Sequence, residues 1–206
     1  MKKALPLFVL IICLLSCKDD PKEKSNDQEN TTTSNQEEDI KKKTPGVTNK
    51  LTTLDLALEV ENFIICKKAS TERNDCRNGI TKTISKAFGL TEFSDSKLGY
   101  VVYDSIRPIA ERSKNWLKLG SVDQKNIDMA LAHTNRGGLS LIIDTAETYG
   151  HVVMIVPGDS KKSGSWDMKL PNVLSLSNFK PEKSFSNKSL SYAMQKSNDL
   201  KVFIRQ

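Results

Sequence analysis

The spacing of the apolar residues changes partway along the chain, and this change constrains the fold more than any other feature. In the first part they recur at helical intervals, in segments 51–67, 76–88, 97–113 and 123–134. Later they form short β-branched runs, at 139–143, 152–156, 173–176 and 200–204. The runs 139–143 and 152–156 predict a hairpin. Helices followed by strands predict an α+β domain, with N-terminal helices packed on a small antiparallel sheet.

The N-terminal residues predict export and lipid anchoring. Lys2-Lys3, the apolar run 4–15 and Ser16-Cys17 are typical of a secretory signal that is too short to span a bilayer. Leu14-Leu15-Ser16-Cys17 resembles the lipobox of bacterial lipoproteins, which predicts a signal peptide 1–16 and a diacylated Cys17 that anchors the protein to a membrane. An ordinary signal peptide with a chance cysteine is the alternative.

The mature chain divides into a tether and one domain. Residues 17–48 contain almost no large apolar side chain, so they are predicted to form a flexible linker behind the lipid. Residues 49–206 suit a single domain with one core. Lys18-Asp19-Asp20 resembles an export tag of surface lipoproteins, with a plain polar linker as the equal alternative. We therefore expect an outer-membrane lipoprotein, with display on the cell surface if the tag is real.

Composition argues against several classes of function. The formal charge is +6, but no basic stripe with interleaved aromatic residues appears, so no nucleic-acid partner is expected. Two histidines without CxxC or HExxH spacing do not predict a metal site. The chain has neither a Gly-rich phosphate loop nor the G-x-S-x-G elbow of serine hydrolases, and no cofactor is predicted.

Cys76 is the candidate nucleophile. It opens the predicted helix 76–88, where unpaired backbone N–H groups and the helix dipole favour a thiolate, and Asp75 can cap that helix. Cys66 lies on the apolar face of helix 51–67 and is predicted to be a buried, inert thiol. Two readings compete with catalysis: Cys76 as a buried structural thiol, and a Cys66–Cys76 disulfide in an exported protein.

His151 is the candidate base, because it stands at the start of the apolar strand 152–156. His133 is assigned instead to the C-terminal end of helix 123–134, facing solvent. If Val173 pairs opposite Val156, Asn178 lies opposite His151 and would orient its imidazole. Asp167 and Ser175 are the rivals for that role if the register differs.

Three short motifs resemble a known family. Asn74-Asp75-Cys76, the stretch Asn135-Arg136-Gly137-Gly138-Leu139 and Gly150-His151-Val152 are similar to the CHAP and NlpC-type peptidoglycan amidases, over about residues 60–180. The resemblance implies a papain-like fold in which Cys76 attacks an amide carbonyl and His151 acts as base and then as acid. It implies peptidoglycan as the partner and substrate. The chain departs from the family at Arg77-Asn78-Gly79, where a small residue and an aromatic one are usual.

The sequence thus predicts a lipid-anchored cysteine amidase or endopeptidase that cleaves amide bonds of the bacterial cell wall. A role in antagonism would add an inhibitor or immunity protein as a partner. Two alternatives stay open. One is a catalytically silent lipoprotein of the same fold that binds wall fragments or a partner. The other is a structural lipoprotein with a Cys66–Cys76 disulfide.

Overall fold

The structure is a computed structural model that describes residues 54–72, 76–148 and 150–206. The predicted signal peptide 1–16, the acylation site Cys17 and the linker 17–48 lie outside the described residues, as do Asn74 and Asp75 of the first motif. Within the described ranges, no helix combines the length and apolar character that a membrane span requires.

Three of the four predicted helices are present, but the second begins at Gly79, so the prediction that Cys76 opens it is wrong. The short helix 190–193 was not predicted. The bounds of the helices are α1 Leu56–Ala69, α2 Gly79–Phe88, α3 Ile106–Arg112, α4 Gln124–Asn135 and α5 Leu190–Ala193. Asp55 caps α1 by accepting hydrogen bonds from two backbone amides, and Gly89 ends α2 with a φ of 65°. The exception is segment 97–113, where the prediction of one helix is wrong for the first half. A short strand and a 3₁₀ turn, Tyr103–Ser105, precede α3.

The strands form one large antiparallel sheet and two small hairpins. The hairpins pair β1 Ser94–Asp95 with β2 Gly99–Tyr100, and β6 Lys161–Ser163 with β7 Met168–Leu170. The large sheet contains β3 Trp116–Ser121, β4 Ser140–Asp144, β5 Val152–Ile155, β8 Asn172–Ser175, β9 Phe185–Ser189 and β10 Leu200–Arg205. Their order across it is β3-β10-β4-β5-β8-β9. The predicted α+β class, the antiparallel sheet and the β4–β5 hairpin are confirmed.

Both faces of the large sheet are covered, so its inner strands are apolar on both sides. The first core cluster joins α1, α2 and α3 to alternate strand residues such as Ile143, Val152 and Leu174. The second core cluster joins α4 and α5 to the intervening ones, such as Ile142, Val153 and Val173. Because side chains alternate along a strand, cluster membership shows which face each strand residue occupies.

Candidate functional site

The candidate site lies at one end of the sheet, where β4 ends, β5 begins and β8 ends. His151 directly precedes β5, and its Nε2 lies 2.8 Å from the Oγ of Ser175, the last residue of β8. Ser175 is only 2% exposed. This contact fixes the imidazole ring against the neighbouring strand.

The strand register corrects the predicted partner of His151. Val173 pairs with Ile155 and not with Val156, so the assumed register is wrong by one residue. The imidazole contacts Ser175, one of the two rivals named from the sequence, and not Asn178. Asp167, the other rival, lies in the turn between β6 and β7, outside the large sheet. Register depends on side-chain packing across the whole ladder, which a single pair of apolar runs does not determine.

Burial sets the protonation of His151. Desolvation lowers the pKa of its imidazole to about 4, and the nearby Asp144 carboxylate opposes that shift only in part. The ring is therefore neutral at physiological pH. Its Nε2 contacts Ser175, and within the described residues no hydrogen-bond partner is found for Nδ1. A neutral imidazole with one nitrogen available can accept a proton, but the pKa of about 4 makes this ring a weaker base than an imidazole in water.

A pocket of about 250 Å³ opens beside this histidine. His151 and Ser175 form part of its wall. The other lining residues are Tyr103, Ser177, Asn178, Phe179, Lys183, Tyr192 and Ala193. Sequence reasoning missed most of this set, because they come from loops and from α5 and carry no periodic signal.

Cys76 is paired elsewhere. Its sulfur is bonded to that of Cys66, with the two Cα atoms 6.1 Å apart. The prediction of a buried Cys66 thiol is wrong, because Cys66 is exposed on α1 and bridged. Cys76 offers no free thiolate while the bond to Cys66 is intact, contrary to the prediction. The catalytic role of Cys76 stays a prediction, and it applies to the reduced chain. The disulfide was one of the readings that the sequence left open.

Cys76 and His151 lie on different sides of the sheet. Cys76 packs against the first core cluster and lines a small groove with Cys66. Ser175 follows Leu174 of the first core cluster and opposes Val153 of the second, so it and the imidazole that it contacts belong to the second face. The two predicted catalytic side chains are thus not brought together in this structure.

Both residues nevertheless lie at the same end of the sheet. A Cβ at Gly79, the first residue of α2, would lie 3.5 Å from Leu176, the residue that follows Ser175. The backbone N–H of Tyr103 donates to the Arg77 carbonyl at 3.0 Å, and Tyr103 lines the His151 pocket. Tyr103 therefore stands between the start of α2 and the imidazole.

The Tyr103 ring belongs to a small polar cluster. The Arg77 guanidinium lies 5.0 Å from the centre of that ring and forms an ion pair with Asp104. Burial and the Asp104 carboxylate raise the pKa of the Tyr103 phenol, so it stays protonated at physiological pH. In the sequence Arg77 was only a departure from the family motif. In the structure it contacts Tyr103 and Asp104 and so supports the Tyr103 side of the pocket wall.

The backbone at Cys76 is unusual. Its φ is 63°, in the left-handed region that residues other than glycine rarely occupy. Such a conformation costs roughly 1–3 kcal/mol and is found preferentially at functional sites and in constrained turns. Gly79 N–H donates to the Cys76 carbonyl at 3.0 Å, so the strained residue closes the turn that leads into α2.

His133 also differs from its prediction. It lies in the last turn of α4, as expected, but it is buried and not exposed to solvent. Its desolvation lowers the pKa of the imidazole, and its Nε2 has no hydrogen-bond partner within the described residues. Gly138 packs directly on this ring. His133 is therefore a core residue and not part of the pocket.

Metal binding finds no support in the described part of the chain, where no group of three or more metal-ligating side chains converges. Comparison with protein-family models and with curated proteins gives no match for this chain.

Proposed function

We propose that this protein is a papain-like cysteine amidase or endopeptidase that cleaves amide bonds of bacterial peptidoglycan, and that its nucleophile, Cys76, acts in the reduced chain. The observation that carries the proposal is the state of His151. Its imidazole is kept neutral by burial, is held by Ser175 through Nε2, and lies in the wall of a pocket. An imidazole oriented in this way can take the proton of a cysteine nucleophile.

Two features of Cys76 support its assignment as the nucleophile. It lies in the turn three residues before Gly79, the first residue of α2, and lines a small groove with Asn78 and Gly79, near the helix end whose dipole favours a thiolate. Its strained φ of 63° marks a position where the backbone conformation is set by something other than local preference. Both features belong to the sheet end that carries His151.

The disulfide must open before the reaction. A dithiol reductant transfers two electrons to the Cys66–Cys76 bond, so both cysteines become thiols and the reductant becomes a disulfide. Cys76 is then no longer tied to α1 and turns past Tyr103 toward His151. Without this step Cys76 stays on the first face of the sheet and the base has no thiol to deprotonate.

The chemistry follows from the two side chains. Nδ1 of His151 takes the proton of the Cys76 thiol, and the thiolate attacks the amide carbonyl carbon. The carbon–nitrogen bond breaks as the imidazolium returns the proton to the leaving amine, which leaves a thioester on Cys76. Water, deprotonated by His151, then cleaves the thioester to give a carboxylate and the thiol. Throughout, Ser175 keeps the ring in place.

Purified wall sacculi test this proposal. We expect the reduced protein to release free amines from sacculi, the oxidised protein to release none, and Cys76→Ala to release none in either state. Cys66→Ala is the matched control, since it removes the disulfide but keeps Cys76, and it should act without reductant. Amine release that survives in Cys76→Ala would refute the assignment of the nucleophile.

A second candidate function is a catalytically silent lipoprotein that binds wall fragments or a partner protein. The disulfide and the separation of Cys76 from His151 favour it directly. In this case the protein would cosediment with sacculi in both redox states, and no variant would release amines. Iodoacetamide labelling near pH 6 adds an independent readout, because only an activated Cys76 thiolate in the reduced chain would react quickly.

The proposed location is the outer membrane, through a lipid on Cys17, with exposure on the cell surface. Surface display would direct the enzyme toward the wall of other cells, and an immunity protein would then be expected in the producing cell. Mass analysis of the mature N-terminus would report acylation, and protease shaving of intact cells would report display.

A further inference from the structure

The two cysteines of the Cys66–Cys76 disulfide differ in their exposure. Cys66 lies in the last turn of α1 and is exposed, whereas Cys76 is half-buried and packs against the first core cluster. The Phe63 ring closes the space beside the start of α2, since a Cβ at Gly79 would lie 2.7 Å from it. The rate of thiol–disulfide exchange depends on access to the sulfur that is attacked. An incoming thiolate therefore reaches Cys66 more easily than Cys76.

The two helices favour Cys76 as the sulfur that leaves. Cys66 lies near the C-terminal end of α1, where the helix dipole disfavours a negative charge. Cys76 lies near the N-terminal end of α2, where the dipole favours a thiolate. Asn78, at the N-cap position of α2, makes no side-chain hydrogen bond to the helix. Because a sulfur that accommodates negative charge leaves faster, exposure and electrostatics select the same direction of exchange.

A groove of about 60 Å³ lies beside the disulfide, and both cysteines line it. Asn62, Lys82 and Thr83 form polar parts of its wall. A groove of this volume holds a few water-sized groups, which is roughly the size of a two-carbon thiol. The attacking molecule that fits these surroundings is therefore a small monothiol.

Opening the bond leaves other contacts between α1 and the rest of the domain. Val60 and Phe63 of α1 are buried in the first core cluster, which also contains residues of α2 and of the large sheet. The 3.2 Å ion pair of Lys86 with Glu59 joins α1 to α2 as well. A protein with this disulfide opened should therefore remain folded, although less stable.

We infer that Cys66 is a site of S-thiolation, at which a small monothiol opens the disulfide and releases Cys76. The thiolate of the monothiol attacks the Cys66 sulfur and forms a new S–S bond with it. The Cys66–Cys76 bond breaks, its electron pair goes to Cys76, and water protonates the thiolate that leaves. Cys76 is thereby reduced and the monothiol is oxidised to the mixed disulfide. The consequence for catalysis rests on the proposed function: Cys76 becomes available while Cys66 still carries the adduct.

Mass spectrometry tests which sulfur takes the adduct. The oxidised protein is treated briefly with 2-mercaptoethanol, quenched with N-ethylmaleimide, and digested without reduction. A molecule that holds a mixed disulfide then carries mercaptoethanol on one cysteine and maleimide on the other. We expect mercaptoethanol on Cys66 and maleimide on Cys76, in about tenfold or greater excess over the reverse pattern.

The same reaction in concentrated urea is the control. The unfolded chain has neither the difference in exposure nor the two helix dipoles, so the two patterns should form in nearly equal amounts. A native ratio equal to the ratio in urea, or an excess of mercaptoethanol on Cys76, would overturn the inference. Maleimide on both cysteines of the untreated protein would also overturn it, because no disulfide would then be present to exchange.

The outcome separates this inference from the proposed function, because the position of the adduct is read without any activity. Selective addition to Cys66, without amine release from sacculi in any redox state, would uphold the S-thiolation site and reject the amidase. Amine release by the reduced protein, with no selectivity between the two sulfurs, would uphold the amidase and reject the S-thiolation site.

Discussion

Replacing Cys66 with serine should destabilise the protein by an amount that the structure allows us to work out. The disulfide joins residues 10 positions apart, and closing a loop of that size in the unfolded chain corresponds to about 3 kcal/mol of stabilisation. Cys66 is exposed, so its replacement leaves no cavity that would add to this loss. A 3.2 Å ion pair of Lys86 with Glu59 also joins α1 to α2, but it is partly exposed and contributes at most about 1 kcal/mol.

Urea unfolding followed by circular dichroism measures the effect. With an m-value of about 2 kcal/mol/M for a domain of this size, the midpoint should fall by about 1.5 M. Reduced wild type and Cys66→Ser should unfold at nearly the same urea concentration, since both lack the same link. A Cys66→Ser midpoint equal to that of the oxidised wild type would show that the disulfide does not form in the folded protein. If the urea midpoint fell in Cys66→Ser but not in the reduced wild type, the loss of stability would come from the substituted side chain and not from the missing disulfide.

Three further outcomes follow from the site and its surroundings. As pH falls, the unfolded chain takes up a proton on the imidazole near its usual pKa of 6.5, whereas His151 does so only near 4, so the free energy of unfolding should decline between these values. His151→Gln should reduce that decline in urea titrations at stepped pH, and an unaltered pH profile would contradict the assigned pKa. If the reduced protein has the proposed amidase activity, Ser175→Ala should lower its kcat about ten- to a hundredfold by releasing the ring, and Ser175→Thr should restore most of the rate through its hydroxyl. Equal loss in Thr and Ala variants would argue against an orienting hydroxyl. Gly138→Ala should cost about 1–3 kcal/mol because a Cβ there overlaps the buried His133 ring, whereas Gly164→Ala, where a Cβ meets nothing within 4 Å, should unfold like the wild type.

The elements with strong local signals were predictable from the sequence. Asp55 as a cap and Gly89 as a stop bound two helices, because capping depends on the residues themselves. The strands β4, β5, β8 and β10 were found through their β-branched runs. Strand β3 was missed, since Trp116–Ser121 is only half apolar and becomes a strand by pairing with β10, which no local pattern shows.

The candidate site was predictable only in part. His151 was singled out because a histidine at the start of an apolar strand is uncommon, and in the structure it directly precedes β5 and lines a pocket. Its partner depended on the strand register: Ser175 pairs with Val153, two residues after His151, and contacts the ring as a diagonal neighbour on the same face. The face that Cys76 occupies depends on how α1 and α2 pack, and that packing involves contacts between distant residues.

The position of β10 imposes an order on folding. It is the last described strand in chain order but lies second from one edge of the large sheet, hydrogen-bonded to β3 on one side and β4 on the other. The edge strand β3 therefore has no partner in the large sheet until residues 200–205 are available to pair with it. A cut just before Leu200 would therefore detach β3 from the rest of the sheet.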